Sequence, residues 1–465
     1  MKKIILFLLM NTSIVHAQHL DFFKFISIPD FTAYDVKQTS DGGYLIAGGM
    51  HNINGGDFVL VKVDSMGNQS FVYTNDRFNG MDGSNIIYSL EIADRYIYLA
   101  GGIKPFFGYP QQVYIVKLDS LFNKIWEIQD TGLGGISAAE KIKLTKDGNL
   151  IVTGSASYSA SNNIYAAKID TAGNFRWKNY FSFNNGSFGR DIIDLEHNKY
   201  IICGLYSSSP GPIDTMASII FNFDSTGSIN WYNDYPDTIS NGFSSVINAL
   251  DGNIYCGQYY APTFANPANP NSAIFKFDSS GNMLFRKDFL NSNSRRTYVF
   301  EKANQTLIAA YDFLYVLFLN SNGDSIASYR NPDYLMLKNS ILDEQERIVL
   351  VGHYQPNVGW PYTSYIMRVS DTVVTGIDGI QDILEVRIYP NPSNGLFTVI
   401  ADNLSNAIEH IEIYSVDGKK ILGAGVRQPF STLDLSYLAN GIYFLKITIL
   451  NNAMPVVKPI IILKQ

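Results

Sequence analysis

The phrase SDGGYLIAGG, Ser40 to Gly49, returns as KDGNLIVTGS from Lys146 and as LDGNIYCGQY from Leu250. Looser copies begin at Ala93 (ADRYIYLAGG), Glu196 (EHNKYIICGL) and Asp343 (DEQERIVLVGH). A second phrase follows, as in FVLVKVDSMGN, VYIVKLDSLFN and IYAAKIDTAGN. Its turn-opening residue falls at Asp64, Asp119, Asp170, Asp224, Asp278, Asn320 and Ser370, which makes seven units at steps of 42 to 55 residues. A period of that length belongs to propellers, solenoids and arrays.

Each unit reads as four strands. A first strand such as AYDVKQ alternates and ends in an Asp-Gly hairpin turn. YLIAG is an almost wholly apolar second strand, and FVLVKV alternates as a third. Asp-Ser-x-Gly-Asn then turns the chain, its Asp bonding the backbone ahead and its Gly taking positive φ. The fourth strand opens on an aromatic at Phe71, Trp126, Trp177, Trp231 and Phe285, whereas the sixth unit has Ala327. Four antiparallel strands repeated seven times predict an all-β chain built on a seven-bladed β-propeller. A β-solenoid fits less well, because its coils are much shorter than these units. The DGGYLIAGG…VKVDSMGN pattern resembles the broad class of bacterial propeller repeats over residues 20 to 373. The seventh unit stops at Ser370-Asp371 without a fourth strand, and HLDFFKFISIPD (His19 to Asp30) precedes the first unit as a spare strand. The N-terminal strand is therefore expected to complete the last blade, with Phe22 or Phe23 in the aromatic position, leaving no open edge.

Aromatic residues make up 14% of the 465 residues and charged residues only 17%, which suits half-buried pleated surfaces. The net charge of −7 comes without any basic stripe, so nucleic acid and anionic membrane surfaces are not expected partners. Residues 1–17 have the form of a secretory signal: Lys2 and Lys3, an apolar run from Ile4 to Met10, and Val15-His16-Ala17 before cleavage. That run is too short to span a bilayer, and no later stretch is long enough. Cys203 and Cys256 align at the same second-strand position of neighbouring units. Such positions lie beyond the Cα span of a disulfide, so two buried free thiols are expected.

After Thr375 the text changes. GIDGIQDILEV is a linker, taken as residues 374–383, and residues 384–465 read as a small β-sandwich of alternating strands with Asn-Gly and Asp-Gly turns. YPNPSNGLF places Tyr389, Pro390, Asn391, Pro392 and Gly395 at the end of a strand, because the prolines withhold two N–H groups from the ladder. IYSVDGKK with Gly418, LDLSYLANGIYFLKI with Gly441 and a short tail with Lys458 follow in order. This series resembles the type A C-terminal sorting domain of the type IX secretion system. In the tail, Pro459 follows Lys458 where the family carries a second basic residue. The resemblance implies a Gram-negative protein that crosses the inner membrane by its signal and the outer membrane by this domain. Its partner there is the secretion machinery, and it ends released or held at the cell surface. The propeller is then residues 18–373, and the protein a monomer.

No catalytic motif stands out. The histidines are scattered without metal-ligand spacing, there is no Gly-x-Ser-x-Gly elbow, and the Gly323-Asp324-Ser325 triplet falls on a turn. The VDSMGN loops offer one carboxylate each, whereas Ca²⁺ takes six to eight oxygens. No cofactor is implied. The second-to-third loops, in contrast, are long and aromatic: IKPFFGYPQQ, SASYSASNN, LYSSSPGPIDT, QYYAPTFANPANPNS and HYQPNVGWPYTS. The sixth unit has almost none. Tyr259, Tyr260 and Phe264 on one side of that gap, and Tyr354, Trp360 and Tyr362 on the other, are expected to wall a binding cleft for glycan or protein. Three functions compete on the sequence: a non-catalytic binding module, a polysaccharide- or peptide-cleaving hydrolase or lyase at the central channel, and a structural envelope component.

Overall fold

The computed structural model describes residues 15–464 apart from 51–57, 75–83, 105–109, 131–134, 159–160, 185, 209–215, 238–239, 261–271, 290–295, 312–314, 331–334, 355–362, 375–385, 390, 392, 402–407, 416–418, 429 and 450–455. Every named element is a β-strand, and two compact units divide between Val374 and Thr375.

In the first unit the described residues form seven four-stranded antiparallel sheets. The first is built in chain order from Phe31–Gln38, Tyr44–Met50, Phe58–Val63 and Gln69–Thr74. The next five repeat that order. The seventh takes its fourth strand from the other end of the chain: Val15–Phe25 pairs with Thr363–Val374, followed by Ile348–Tyr354 and Leu335–Leu342. The first strands are Phe31–Gln38, Ser84–Ala93, Ala138–Leu144, Ser187–Asp194, Asn241–Asn248, Thr297–Glu301 and Leu335–Leu342. Each touches the next, and the last touches the first.

Local chemistry explains the sheets. At the third-to-fourth turn the Asp64 carboxylate accepts from the backbone N–H of Met66 (2.8 Å) and Asn68 (2.9 Å), and Gly67 takes φ +78°. Asp119, Asp170, Asp224 and Asp278 repeat these bonds, and Asn320 does so with its amide oxygen. The carboxylates of the Asp-Ser-x-Gly-Asn phrase are therefore engaged in holding their own turns. Tyr44–Met50 and its counterparts are buried on both faces because each sheet packs between two others, which is why YLIAG does not alternate. Fourth strands such as Gln69–Thr74 are largely exposed.

The aromatic that opens the fourth strand couples neighbouring sheets. Trp126 donates its indole N–H to the Thr171 carbonyl of the next sheet at 3.0 Å, and Trp231 lies so close to Gly281 that a Cβ there would meet its ring at 2.6 Å. Phe22 pairs with Arg368, as Trp126 pairs with Lys117, and a Cβ at Gly67 of the first sheet would meet the Phe22 ring, also at 2.6 Å. The N-terminal strand thus meets the first sheet as every other aromatic-bearing strand meets its neighbour.

Two readings of the sequence need correction. Leu150–Tyr158 and Ser161–Ile169 pair up to Tyr158 opposite Ser161, so SASYSASNN is mostly ladder rather than a long loop. The cysteines are also offset by one residue. Counting from their hairpin bonds, Leu195 N–H to Lys199 O and Ala249 N–H to Asn253 O, Cys203 is the fourth residue after Lys199 and Cys256 the third after Asn253. A one-residue slip turns a side chain to the opposite face of its sheet. Cys203 and Cys256 therefore face each other in one core between the fourth and fifth sheets. Both are free and wholly buried; burial first, and the neighbouring Cys256 thiol second, push the Cys203 thiol well above its usual range.

The two thiols are neighbours in this core, yet both stay free and sealed from solvent. Both thiols should thus react with a maleimide only after denaturation, with no reductant needed. An intact mass two protons short in the exported protein would contradict this.

Candidate functional site

Six of the seven first strands carry a register shift at one residue, an inserted position that leaves two successive polar or large side chains where alternation would give one. The residues at the shift are Tyr34, Tyr88, Glu140, Arg190, Ser244 and Lys338. They converge. The Tyr34 and Tyr88 rings meet edge to face at 5.1 Å, the Lys338 ammonium lies 5.4 Å from the Tyr34 ring centre, and Arg190 pairs with Glu140 at 3.1 Å. From the sixth sheet Tyr298 donates to the Lys338 carbonyl and accepts from Arg296 at 3.2 Å. Burial, then the Glu140 carboxylate, raises the Tyr88 phenol above its ordinary value. Burial works against charge at Arg296, yet Tyr298 and Glu140 raise it further. The group is aromatic, charged and only partly buried at most of its members.

The residue after each shift anchors it. Asp35 is wholly buried and accepts from its neighbour Val36 N–H (2.8 Å), from Ser89 Oγ (2.8 Å) and Leu90 N–H (2.9 Å) of the second sheet, and from the Asn339 amide of the seventh. Lys141 of the third sheet stands 3.5 Å away. Burial opposes the Lys141 charge, but Asp35 and Asp191 outweigh it and raise its pKa. Asp191 repeats the pattern, accepting from Ile192 N–H (2.9 Å) and Val246 N–H (3.0 Å) and pairing with Lys143 at 2.6 Å. These carboxylates are bound on every side. Sequence reasoning missed the whole cluster, although polar doublets such as Tyr34-Asp35, Glu140-Lys141 and Arg190-Asp191 inside alternating strands are its visible trace.

Of the residues expected to wall a cleft, Phe264, Trp360 and Tyr362 lie outside the described residues. Tyr259 is half-buried, and its electrostatic influence reaches Arg296. Tyr260 is buried, with only 6% exposed, and its hydroxyl accepts from Arg286 at 2.6 Å. Tyr354 is half-buried against Phe25, ring centres 6.0 Å apart. Among the described residues no hydrogen bond or ring contact joins Tyr259 or Tyr260 to Tyr354, and no three His, Cys, Asp or Glu side chains are grouped to hold a metal. Among the described residues no helix is long and apolar enough to cross a membrane.

The second unit has a three-stranded sheet (Val386–Tyr389, Leu396–Ala401, Phe430–Asp434) and a four-stranded one in the order Lys420–Gln428, Ile408–Ser415, Gly441–Ile449, Val456–Ile462. They share a core that includes Phe397, Ile411, Leu433, Leu445 and Ile460. The first strand ends at Tyr389, before Pro390, and the next residues reach the far end of the chain. Asn391 accepts from Ile461 N–H at 2.9 Å. Ser393 donates its N–H to the Ile461 carbonyl (3.0 Å) and accepts from Leu463 N–H (2.8 Å). Asn440, just before Gly441, accepts from Lys464 N–H at 2.9 Å and donates to its carbonyl at 3.3 Å. Gly395 holds φ +117° where a Cβ would strike the Ser436 backbone at 2.5 Å. Half-buried Lys458 stands opposite Leu445 in the edge strand, and Pro459 sits at that edge too. Pro390, Pro392 and Gly418 lie outside the described residues. The asparagines of the motif are clips on the last strand.

Residues 387–463 match the model of the secretion system C-terminal sorting domain. The second unit carries that domain, which directs the protein to the cell surface or the extracellular space by the type IX secretion system. No curated protein matches the chain. Among solved structures, PorZ of Porphyromonas gingivalis, described as an essential bacterial surface component of the type-IX secretion system, is 10% identical with a TM-score of 0.43; the match covers 93% of this chain and 59% of PorZ. This chain thus spans less than two thirds of that protein's length. BamB from Moraxella catarrhalis is 12% identical (TM-score 0.42, covering 75% of this chain and 99% of BamB). The WD40 domain of Neurospora crassa Pan2 is 10% identical (TM-score 0.49, covering 78% and 97%).

Replacing Asn391 and Asn440 together with Ala removes one bond from the last strand and two from Lys464 just past it, each contributing about 1 kcal/mol. Hydrogen exchange at Ile461 and Lys464 should accelerate while the core amides of Ile411 and Leu445 stay protected. Unchanged protection at Ile461 and Lys464 would contradict the clip.

Proposed function

We propose that this protein is a non-catalytic binding module for a glycan or a protein, displayed at the cell surface or released. In this reading residues 1–17 are removed as a signal. Residues 18–373 form a seven-bladed β-propeller closed by its own N-terminal strand, 374–383 are a linker, and 384–465 are a sorting β-sandwich. Support for the closed ring comes from the cycle of first strands and from Val15–Phe25 completing the seventh sheet. The protein works as a monomer, without a cofactor.

The observation that carries the binding reading is the cluster of Tyr34, Tyr88, Glu140, Arg190 and Lys338 on the first strands, with Arg296 just before Thr297–Glu301. Rigid rings beside charged groups offer contact area together with hydrogen-bond specificity. Cleavage chemistry draws less support, because a carboxylate acting as general acid or base must be free to exchange a proton and Glu140 is paired with Arg190 at 3.1 Å. Asp35 and Asp191 are each fully engaged by backbone N–H groups and a lysine. Tyr259, Phe264, Tyr354, Trp360 and Tyr362 belong to the same binding face in this proposal, and Tyr260 contributes by holding Arg286.

Glycan and protein arrays probed with the full chain, alongside a hydrolase screen, test this. A ligand class should be retained by the parent protein and weakened about tenfold or more by Tyr88→Ala and by Arg190→Ala, with unchanged melting temperature. Turnover in the hydrolase screen without retention on either array would overturn the proposal.

A further inference from the structure

The fourth sheet carries a groove at its outer end, facing the third, with a volume of about 640 Å³. Phe183, Asn184, Tyr206, Trp231, Tyr232 and Asp234 line it. Tyr232 is 58% exposed, its ring centre 6.1 Å from that of Phe183. Within it Tyr206 donates its hydroxyl to Oδ2 of the exposed Asp234 at 2.5 Å. Among the described residues no cation pairs with Asp234, so its second oxygen stands open.

The repeat supplies an internal control. In the fourth sheet Phe221 stands opposite Tyr232 and Ile219 opposite Asp234; in the fifth, Phe275 stands opposite Arg286 and Ala273 opposite Asp288. Tyr206 and Tyr260 extend the same pattern at the ends of the second strands, each two places beyond the residue opposite Ile219 or Ala273, namely Gly204 or Gln258. The two sheets therefore share a tyrosine, a phenylalanine and an aspartate, and differ in the residue that stands opposite the phenylalanine. In the fifth sheet that position is Arg286. Its guanidinium donates to Tyr260 at 2.6 Å and to Asp288 at 2.7 and 2.9 Å, and lies 5.3 Å from the Phe275 ring centre. In the fourth sheet the chain places Tyr232 there, and the aspartate and tyrosine remain without their cation. The ring of Phe183 fills the space over Phe221, 5.3 Å away, and adds an aromatic wall to the opening.

We infer that this groove is a docking site for an arginine side chain of a partner protein, which supplies from outside the guanidinium that Arg286 supplies from within one sheet further on. The charge matches: a carboxylate without a cation, exposed along an aromatic groove on a chain of net charge −7, repels acidic ligands and favours a flat cation that donates along its edge and stacks on its face. This site is separate from the inner-strand cluster and stands whether or not that cluster binds a ligand.

Saturation-transfer NMR and calorimetry on the full chain, with N-acetyl-arginine amide and its uncharged counterpart N-acetyl-citrulline amide as probes, decide it. The arginine probe should bind and the citrulline probe bind about tenfold more weakly or not at all. Asp234→Asn should weaken the arginine probe by a similar factor. Tyr232→Arg rebuilds the arrangement of the fifth sheet, so it should close the groove and abolish binding without lowering the melting temperature. Equal binding of the two probes, insensitivity to Asp234→Asn, or no binding of the arginine probe at millimolar concentration would each overturn the assignment. Direct binding of a neutral oligosaccharide, lost in Tyr232→Ala, with no binding of the arginine probe would overturn the assignment and give the groove to sugar.

Discussion

One buried carboxylate joins the two ends of the sheet array in the first unit. Asp35 reaches from the first sheet to Ser89 and Leu90 of the second, toward Lys141 of the third and to Asn339 of the seventh. A buried charge is tolerated only when paired and hydrogen-bonded, and Asp35 is both. Its partners come from both ends of the repeat array, so the bond network and the cycle of first strands require each other. Asp191 plays the same part between the third, fourth and fifth sheets. The inserted residues precede these anchors, so the structural demand for a buried polar junction is also what turns Tyr34, Glu140, Arg190 and Lys338 into one convergent group.

The sheets were legible because each is specified by short-range chemistry. An Asp that bonds the backbone two and four residues ahead, and a Gly at positive φ, are visible in a window of five residues. The completing strand was legible as a surplus at one end and a deficit at the other, and Phe22 opposite Arg368 places its aromatic as the repeat demands. What escaped depends on register. The inserted residues in the first strands are invisible to a reading of strict alternation, and with them went the inner cluster. The same sensitivity misplaced the cysteines, since an alignment wrong by one residue assigns the opposite face. The SASYSASNN segment was misread because Ser, Asn and Ala resemble a loop in composition even where long-range pairing extends the strand.

Departures from the repeat carry more information than the repeat itself. Phe122 takes positive φ where other units place Gly, and its ring stacks on Phe71 at 5.2 Å. Tyr232 replaces a cation and leaves a groove. Ala327 omits the outer aromatic in the strand that touches the N-terminal one. In the sorting unit the motif residues have a physical role that their spacing does not disclose: Asn391, Ser393 and Asn440 hold the final strand by side-chain and backbone bonds, so the opening turn and the chain end form one feature.

The central claim is that the seven sheets form one body joined through buried polar junctions, with Asp35 linking its first and last members. Urea unfolding of Asp35→Ala tests it most directly. The variant leaves Lys141, Asn339, Ser89 and two backbone N–H groups without their acceptor. The account predicts a loss of about 3 kcal/mol or more, with the transition no longer cooperative across the sheets. A loss below about 1 kcal/mol, the range of an exposed ion pair, with a single unchanged transition, would contradict it.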